Sequence, residues 1–193
     1  MLADMGNREA LLDGAKRCLL EKGYAKTTAR DVADAAGVSL AAIGYHFGSK
    51  ESLLEQAFMA AMEDWFDDED VRDPQPTGSI DQFRQFFDEV LASFPDRKAL
   101  LRLNLEMGIE GMHNESLGHF MATAVQYGRT ELAKGLQGLE PERDGHLAQS
   151  VGSFYSVLMT GLVAQFLMDR ENFPTASDLA EGLLYIAGRL QSA

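Results

Sequence analysis

Over residues 8–22 the apolar positions Leu11, Leu12, Ala15, Cys18 and Leu19 recur every three or four residues, the period of a helix with one buried face. Val32, Ala33 and Ala36 repeat the pattern over a shorter span, and the hydroxyl of Thr28 ahead of them suits a helix cap. Gly37 supplies a tight turn, Ser39 is placed to cap the next helix, and Ile43 and Phe47 lie four apart on that helix before Gly48 stops it. Two short helices about a glycine turn, packed on a longer first helix, predict a helix-turn-helix.

Ser49 caps a fourth helix reaching Phe66, whose stripe of Leu53, Leu54, Ala57, Phe58, Ala61 and Met62 is wide enough to touch two neighbours. The acidic run Asp67, Asp68, Glu69, Asp70 opposes the dipole at a helix end, and Asp73, Pro74, Pro76 and Gly78 break the chain, so a surface loop is predicted there. A cation-binding role for those carboxylates lacks the alternating spacing and turn glycine of a calcium loop. Ser79 with Gln82 reads as a capping box, followed by Ile80, Phe83, Phe86, Phe87, Val90 and Leu91 on a helix ending near Pro95. Three-to-four spacing continues over residues 100–112, 117–136, 146–168 and 179–190. No run alternates as a strand does. The chain is therefore predicted to be all-α with about nine helices, a helix-turn-helix domain at residues 1–48 and a helical ligand-binding and dimerisation domain at residues 49–193.

Gly23, Tyr24, Thr27, Thr28, Val32, Ala33, Ala36, Gly37, Val38, Ser39, Ile43, Tyr45, His46, Phe47, Lys50 and Leu53 stand in an order that resembles the N-terminal domain of TetR-type transcriptional regulators. Gly44 departs from that pattern, since many relatives carry Tyr or Leu there, and it leaves the outer face of the second helix bare. The resemblance implies backbone-contacting roles for Thr28, Tyr45, His46 and Lys50, with Arg30, Ser39, Leu40, Ala41 and Ala42 at or beside base-reading positions. Chemistry points the same way for Lys50, which sits at a helix start where backbone N–H groups favour a phosphate. With few long polar groups on the reading helix, Arg30 is expected to be the main base reader. It would grip O6 and N7 of a guanine for about 1–3 kcal/mol of discrimination, with Ala41 and Ala42 against thymine methyl groups. Ile43 and Phe47 are expected in the core, Leu40 partly so, and His46 has the simpler alternative of closing its helix.

Charge sharpens the picture. The net charge is −13, yet residues 1–50 hold seven Lys or Arg against six Asp or Glu, while residues 51–193 carry a net −14. DNA contact must therefore be local, made by a few placed cations, with the acid held elsewhere. No stretch approaches about 20 consecutive apolar residues, and the N-terminus lacks the basic and apolar regions of a signal peptide, so no membrane role and a cytoplasmic location are expected. The single cysteine, Cys18, excludes an internal disulfide and reads as core filler, with redox sensing the alternative.

On residues 146–168, Gly152, Ser156, Thr160 and Ala164 form a small-residue ridge, and Leu179, Leu183, Ile186, Ala187 and Leu190 line the last helix. Together they suit a four-helix contact in a homodimer, which the resemblance also implies, an intrachain core being the alternative. Phe83, Phe86, Phe87, Leu103, Met107 and Phe120 supply apolar surface for a hydrophobic small-molecule effector, as do Met121, Tyr127, Phe154, Tyr155 and Phe166, with ordinary core packing the alternative for each. Glu110 and His113 have the spacing of a di-metal bundle motif, but Glu115 with His119 and Glu142 with His146 are four apart, so no second pair completes it. No nucleophile constellation, phosphate loop or metal-binding cysteine cluster occurs, so neither an enzyme nor a metal or cofactor is expected. The expected function is a repressor released from a palindromic double-stranded operator by a small molecule. The alternatives are an activator, a ligand-independent repressor, or a metal-dependent helical-bundle enzyme.

Overall fold

The computed structural model describes residues 2–66 and 78–191, and the predicted loop of Asp67 to Pro76 lies outside them. Ten helices and no strand occur among the described residues: α1 (Leu2–Lys22), α2 (Ala29–Ala36), α3 (Ala41–Phe47), α4 (Lys50–Phe66), α5 (Ile80–Ser93), α6 (Lys98–Gly111), α7 (Glu115–Gln137), α8 (Pro141–Asp144), α9 (His146–Met168) and α10 (Ala176–Gln191). They form two compact units, one of residues 2–66 with 99–121, the other of residues 78–98 with 122–191. By packing, then, α4 belongs with the three helices before it.

In the first unit α1 packs against α2, α3 and α4. The periodicity read from the chain becomes the core: Leu11, Ala15, Val32, Leu53, Leu54 and Ala57 have no solvent exposure. Along its other edge α1 is laddered to α4. Arg8 Nη2 donates to Gln56 Oε1 at 2.9 Å, and Lys16 Nζ donates to Asp64 Oδ2 at 2.7 Å. Leu12 and Ala60 lie between these rungs and line one groove. Each rung joins residues 48 apart in sequence, and the second rung lies eight residues beyond the first on both helices, which is how two helices run side by side in the same direction. Between α6 and α7 a Cβ on Gly118 would stand 2.7 Å from the carbonyl oxygen of Gly111, so those backbones meet where only glycine fits. Asn114 caps α7 by accepting from Leu117 N–H at 3.1 Å.

In the second unit α5 packs on α10. The capping box at Ser79 forms with a shift: Ser79 Oγ accepts from Gln82 N–H at 3.1 Å, but the Gln82 side chain accepts from Gly78 N–H at 2.8 Å, one residue outside the motif. The predicted gap at residues 138–145 contains α8, a single turn started by Pro141 and held by Asp144, whose carboxylate accepts from Glu140 N–H at 2.8 Å. Among the described residues α9 alone is long and apolar enough to cross a membrane by length and composition.

Candidate nucleic-acid interface

The interface is assembled from helix ends. Thr28 caps α2: its Oγ1 accepts from Asp31 N–H at 3.1 Å, and the Asp31 carboxylate accepts from Thr28 N–H at 2.9 Å and Thr28 O–H at 2.6 Å. Lys22 Nζ adds a 2.6 Å bond to the same carboxylate. Lys22 first, then Thr28, holds the Asp31 carboxyl well below the usual range, and the same pairing raises the Lys22 ammonium. Sequence reading missed both residues, although the Thr28-to-Asp31 spacing was a visible signal. At the other end Gly37, at φ +67°, closes α2 through its N–H, and Val38 N–H reaches back to Ala33 O at 3.1 Å. Arg17, from α1, donates to Ala35 O at 2.6 Å, pinning a carbonyl that the helix end leaves unsatisfied.

Ser39 does not cap α3. That helix starts at Ala41, its N-cap is Leu40 in right-handed helical geometry, and no side chain caps it. The reason is local: Ala42 N–H bonds Ser39 O at 3.0 Å and Ile43 N–H bonds Leu40 O at 3.2 Å, a tighter entry turn that leaves no role for the hydroxyl. Ser39 is instead exposed at the tip, with Leu40 half exposed, Ala41 exposed and Ala42 half-buried. Ile43 and Phe47 are core at 4% and 7% exposure. Tyr45 projects at 76% exposure, and the half-buried His46 meets its ring edge-on at 4.9 Å. Gly44 has nothing within 4 Å of a would-be Cβ, which is the bare face its identity suggested.

Arg30 is exposed on α2, and among the described residues it makes no hydrogen bond or ion pair. Lys50, the first residue of α4, is half-buried, 3.5 Å from Thr27 O and 3.4 Å from the Glu51 carboxylate. Ser49 caps that helix through Ser52 N–H at 3.0 Å. Arg8, which the sequence did not single out, lays its guanidinium over the Phe47 ring at 5.0 Å while bonding Gln56, so one side chain joins α1, α3 and α4. The Cys18 thiol is buried and pushed up by that burial, the setting of an inert core cysteine.

The side chains expected to line an effector site divide between the two units. In the first, Leu103 and Met107 are buried, while Phe120 and Met121 are half-buried, Phe120 edge-on to Phe58 at 6.1 Å. In the second, Phe83, Phe87 and Tyr155 pack on one another with centroids 4.7–6.4 Å apart, Phe86 joins at 5.1 Å, and Gln137 Nε2 donates to Tyr155 Oη at 2.9 Å. Phe166 is buried against Phe94 and Phe173, whereas Tyr127 and Phe154 are exposed. Of the ridge on α9, Gly152 faces inward: a Cβ there would lie 2.2 Å from the Arg129 carbonyl oxygen of α7. Ser156 and Ala164 are half-buried and Thr160 is exposed. The outward apolar face is made instead by Leu147, Phe154, Val157 and Met168 of α9, with Leu184, Tyr185, Ile186 and Leu190 of α10 beside the half-buried Leu183 and Ala187. Among the described residues no three His, Cys, Asp or Glu side chains gather as a metal site.

Residues 11–57 match the family model described as bacterial regulatory proteins, tetR family. Over 61 residues the chain is 41% identical to the HTH-type transcriptional repressor KstR2 of Rhodococcus jostii (strain RHA1), covering 32% of this chain and 30% of that protein. Over 57 residues it is 46% identical to the HTH-type transcriptional repressor Rv1474c of Mycobacterium tuberculosis, covering 30% and 29%. The matched region thus spans less than a third of either repressor. Likeness in fold runs further. A TetR transcription regulator from Haloarcula marismortui superposes with a TM-score of 0.65 at 24% identity, over 91% of this chain and 95% of that one. The multidrug binding protein EbrR, complexed with imidazole, gives 0.64 at 19% identity over 92% and 88%.

Proposed function

We propose that residues 11–57, which match the tetR-family model, are a DNA-reading domain and that the chain is a cytoplasmic, homodimeric repressor that binds a palindromic operator and leaves it when a small molecule binds. Residues 1–48 read DNA and residues 49–193 carry dimerisation and effector binding. The observation that carries the reading is the state of the exposed tips of α2 and α3: Arg30 is unpaired and Tyr45 projects into solvent, while the helices behind them are capped and packed. Arg30 reads a guanine, Ala41 and Ala42 meet thymine methyl groups, and Thr28, Tyr45, His46 and Lys50 position the phosphates. The apolar faces of α9 and α10 cover their copies on a second chain. The two reading helices then stand about 34–36 Å apart, one turn of DNA.

An effector releases the operator only by preferring a form of the protein that binds DNA less well, and reciprocity requires the operator to weaken the effector by the same factor. The aromatic cluster of Phe83, Phe87 and Tyr155 suits an apolar molecule that parts those rings, and the fold neighbour EbrR is itself complexed with a small molecule. Selection of bound sequences from a random DNA pool at fixed salt tests the proposal. A palindrome with half-sites one turn apart is expected, and Arg30→Ala should relax preference at one position per half-site. No enriched sequence, or unchanged preference in the variant, rejects it.

A further inference from the structure

From Leu40 to Gly44, α3 and its cap carry no side chain able to make a hydrogen bond. Polar groups stand only at the ends, Ser39 at the entry and Tyr45 and His46 in the last turn. With about 3.6 residues per turn, the exposed Ala41, Gly44 and Tyr45 fall on the side away from the buried Ile43 and Phe47, and the half-buried Ala42 borders them. Leu40, at 50% exposure, extends the same surface at the helix start.

Gly44 is the anomaly here. The helix is only seven residues long, and so short a helix is poorly placed to carry the weakest helix former after proline. Its φ is not positive and nothing stands within 4 Å of a would-be Cβ, so neither backbone conformation nor packing within the chain asks for glycine. Gly108 and Gly128 have the same open space, but in helices of 14 and 23 residues, where one glycine is more easily carried. The half-exposed Leu40 is equally unrewarded by the fold. Both residues fit a surface brought up from outside the chain, and both lie within the segment that matches the tetR-family model. On the floor of the DNA major groove the apolar feature of a base edge is the C5-methyl group of thymine, the others being hydrogen-bond donors and acceptors.

We propose that α3 reads its operator through C5-methyl groups, with Leu40 and Ala41 covering them and Gly44 leaving the gap that lets the helix come close enough to do so. Gly44 is then a specificity-determining residue that acts by having no side chain: a larger group there holds Leu40 and Ala41 off the base edges. The inference rests on the DNA-reading proposal and adds the chemical group that is recognised and the residue that makes room for it. Hydrogen-bonded readout falls to Arg30 on α2, so the two helices divide a half-site by chemistry. Because 5-methylcytosine carries the same methyl as thymine, α3 accepts either base, whereas it separates thymine from uracil.

Operators selected from the random pool, remade with deoxyuridine, cytosine or 5-methylcytosine in place of each enriched thymine, test this by fluorescence anisotropy at fixed salt. Deoxyuridine lacks only the methyl and should weaken binding about fourfold for each methyl covered. At those positions 5-methylcytosine should recover most of what cytosine loses. Gly44→Leu should weaken binding about tenfold or more and abolish the difference between thymine and deoxyuridine, while melting at the same temperature as the unaltered chain or higher. Gly128→Ala, which adds a methyl to an equally open helical glycine of the second unit, should keep operator affinity within about twofold. Full affinity for the deoxyuridine operator, equal losses with cytosine and 5-methylcytosine, or unchanged binding by a folded Gly44→Leu variant overturns the methyl reading while operator binding itself stands. A pool that yields no enriched sequence overturns the DNA reading and this inference with it.

Discussion

Thr28 uses its hydroxyl inside its own helix start, accepting from Asp31 N–H and donating its one proton to the Asp31 carboxylate, so a phosphate, which can only accept, is reached only if that proton is redirected. Its first role is structural. Thr28→Ala should therefore cost about 1 kcal/mol in urea unfolding of the free protein, measurable without DNA. Glu55 shows the opposite economy, a charge the fold tolerates without rewarding. Because burial raises its folded-state pKa above the unfolded value, the ionised form is penalised in the fold once pH exceeds that raised value. Below the ordinary glutamate value both states are protonated and the penalty is gone. Glu55→Gln should accordingly raise the melting temperature at pH 7, with the gain fading as pH falls toward about 4. A constant gain across that range would place its origin outside ionisation.

At the scale of helices, residues 146–168 matched α9 from end to end, because Gly145 before it and the β-region Asp169 after it leave little room for error. The capped starts of α2 and α4 were equally legible, since Thr28 and Ser49 announce themselves within three residues of their partners. Ser39 misled because a hydroxyl before an apolar run looks the same whether the entry turn is open or tight. Arg17 on Ala35 and Arg8 across Gln56 and Phe47 were invisible for a different reason: their partners are 18, 48 and 39 residues away, and no local pattern encodes such a meeting. Gly152 belongs to that class too, as its ridge looked suited to a second copy while its Cα lies against α7. Gly152→Ala should destabilise the fold by about 1–3 kcal/mol, since a carbonyl oxygen occupies the methyl's place. Gly128→Ala on α7, with nothing within 4 Å, should stabilise by up to about 1 kcal/mol. Chemical denaturation of the pair separates crowding from helix propensity.

On the proposed reading, the excess acid beyond residue 50 and the near-neutral segment before it predict weak binding to DNA of arbitrary sequence, with affinity resting on placed contacts. The proposed dimer makes that arrangement sufficient by doubling the contacts. Val157→Asp with Leu190→Asp, at positions 67% and 74% exposed, should leave helical content unchanged, yield a monomer in sedimentation, and lose most operator affinity. A dimer that survives both charges would move the interface elsewhere. The ladder from α1 to α4 has a bearing on how such proteins can be recombined. Its rungs tie residue 8 to residue 56 and residue 16 to residue 64, so, on the proposed reading, a segment grafted to transfer DNA preference has to extend through Phe66 rather than stop at Gly48. Chimeras joined after Phe66 should fold and keep the donor's operator preference, whereas those joined after Gly48 sever both rungs and should melt at lower temperature with blurred specificity.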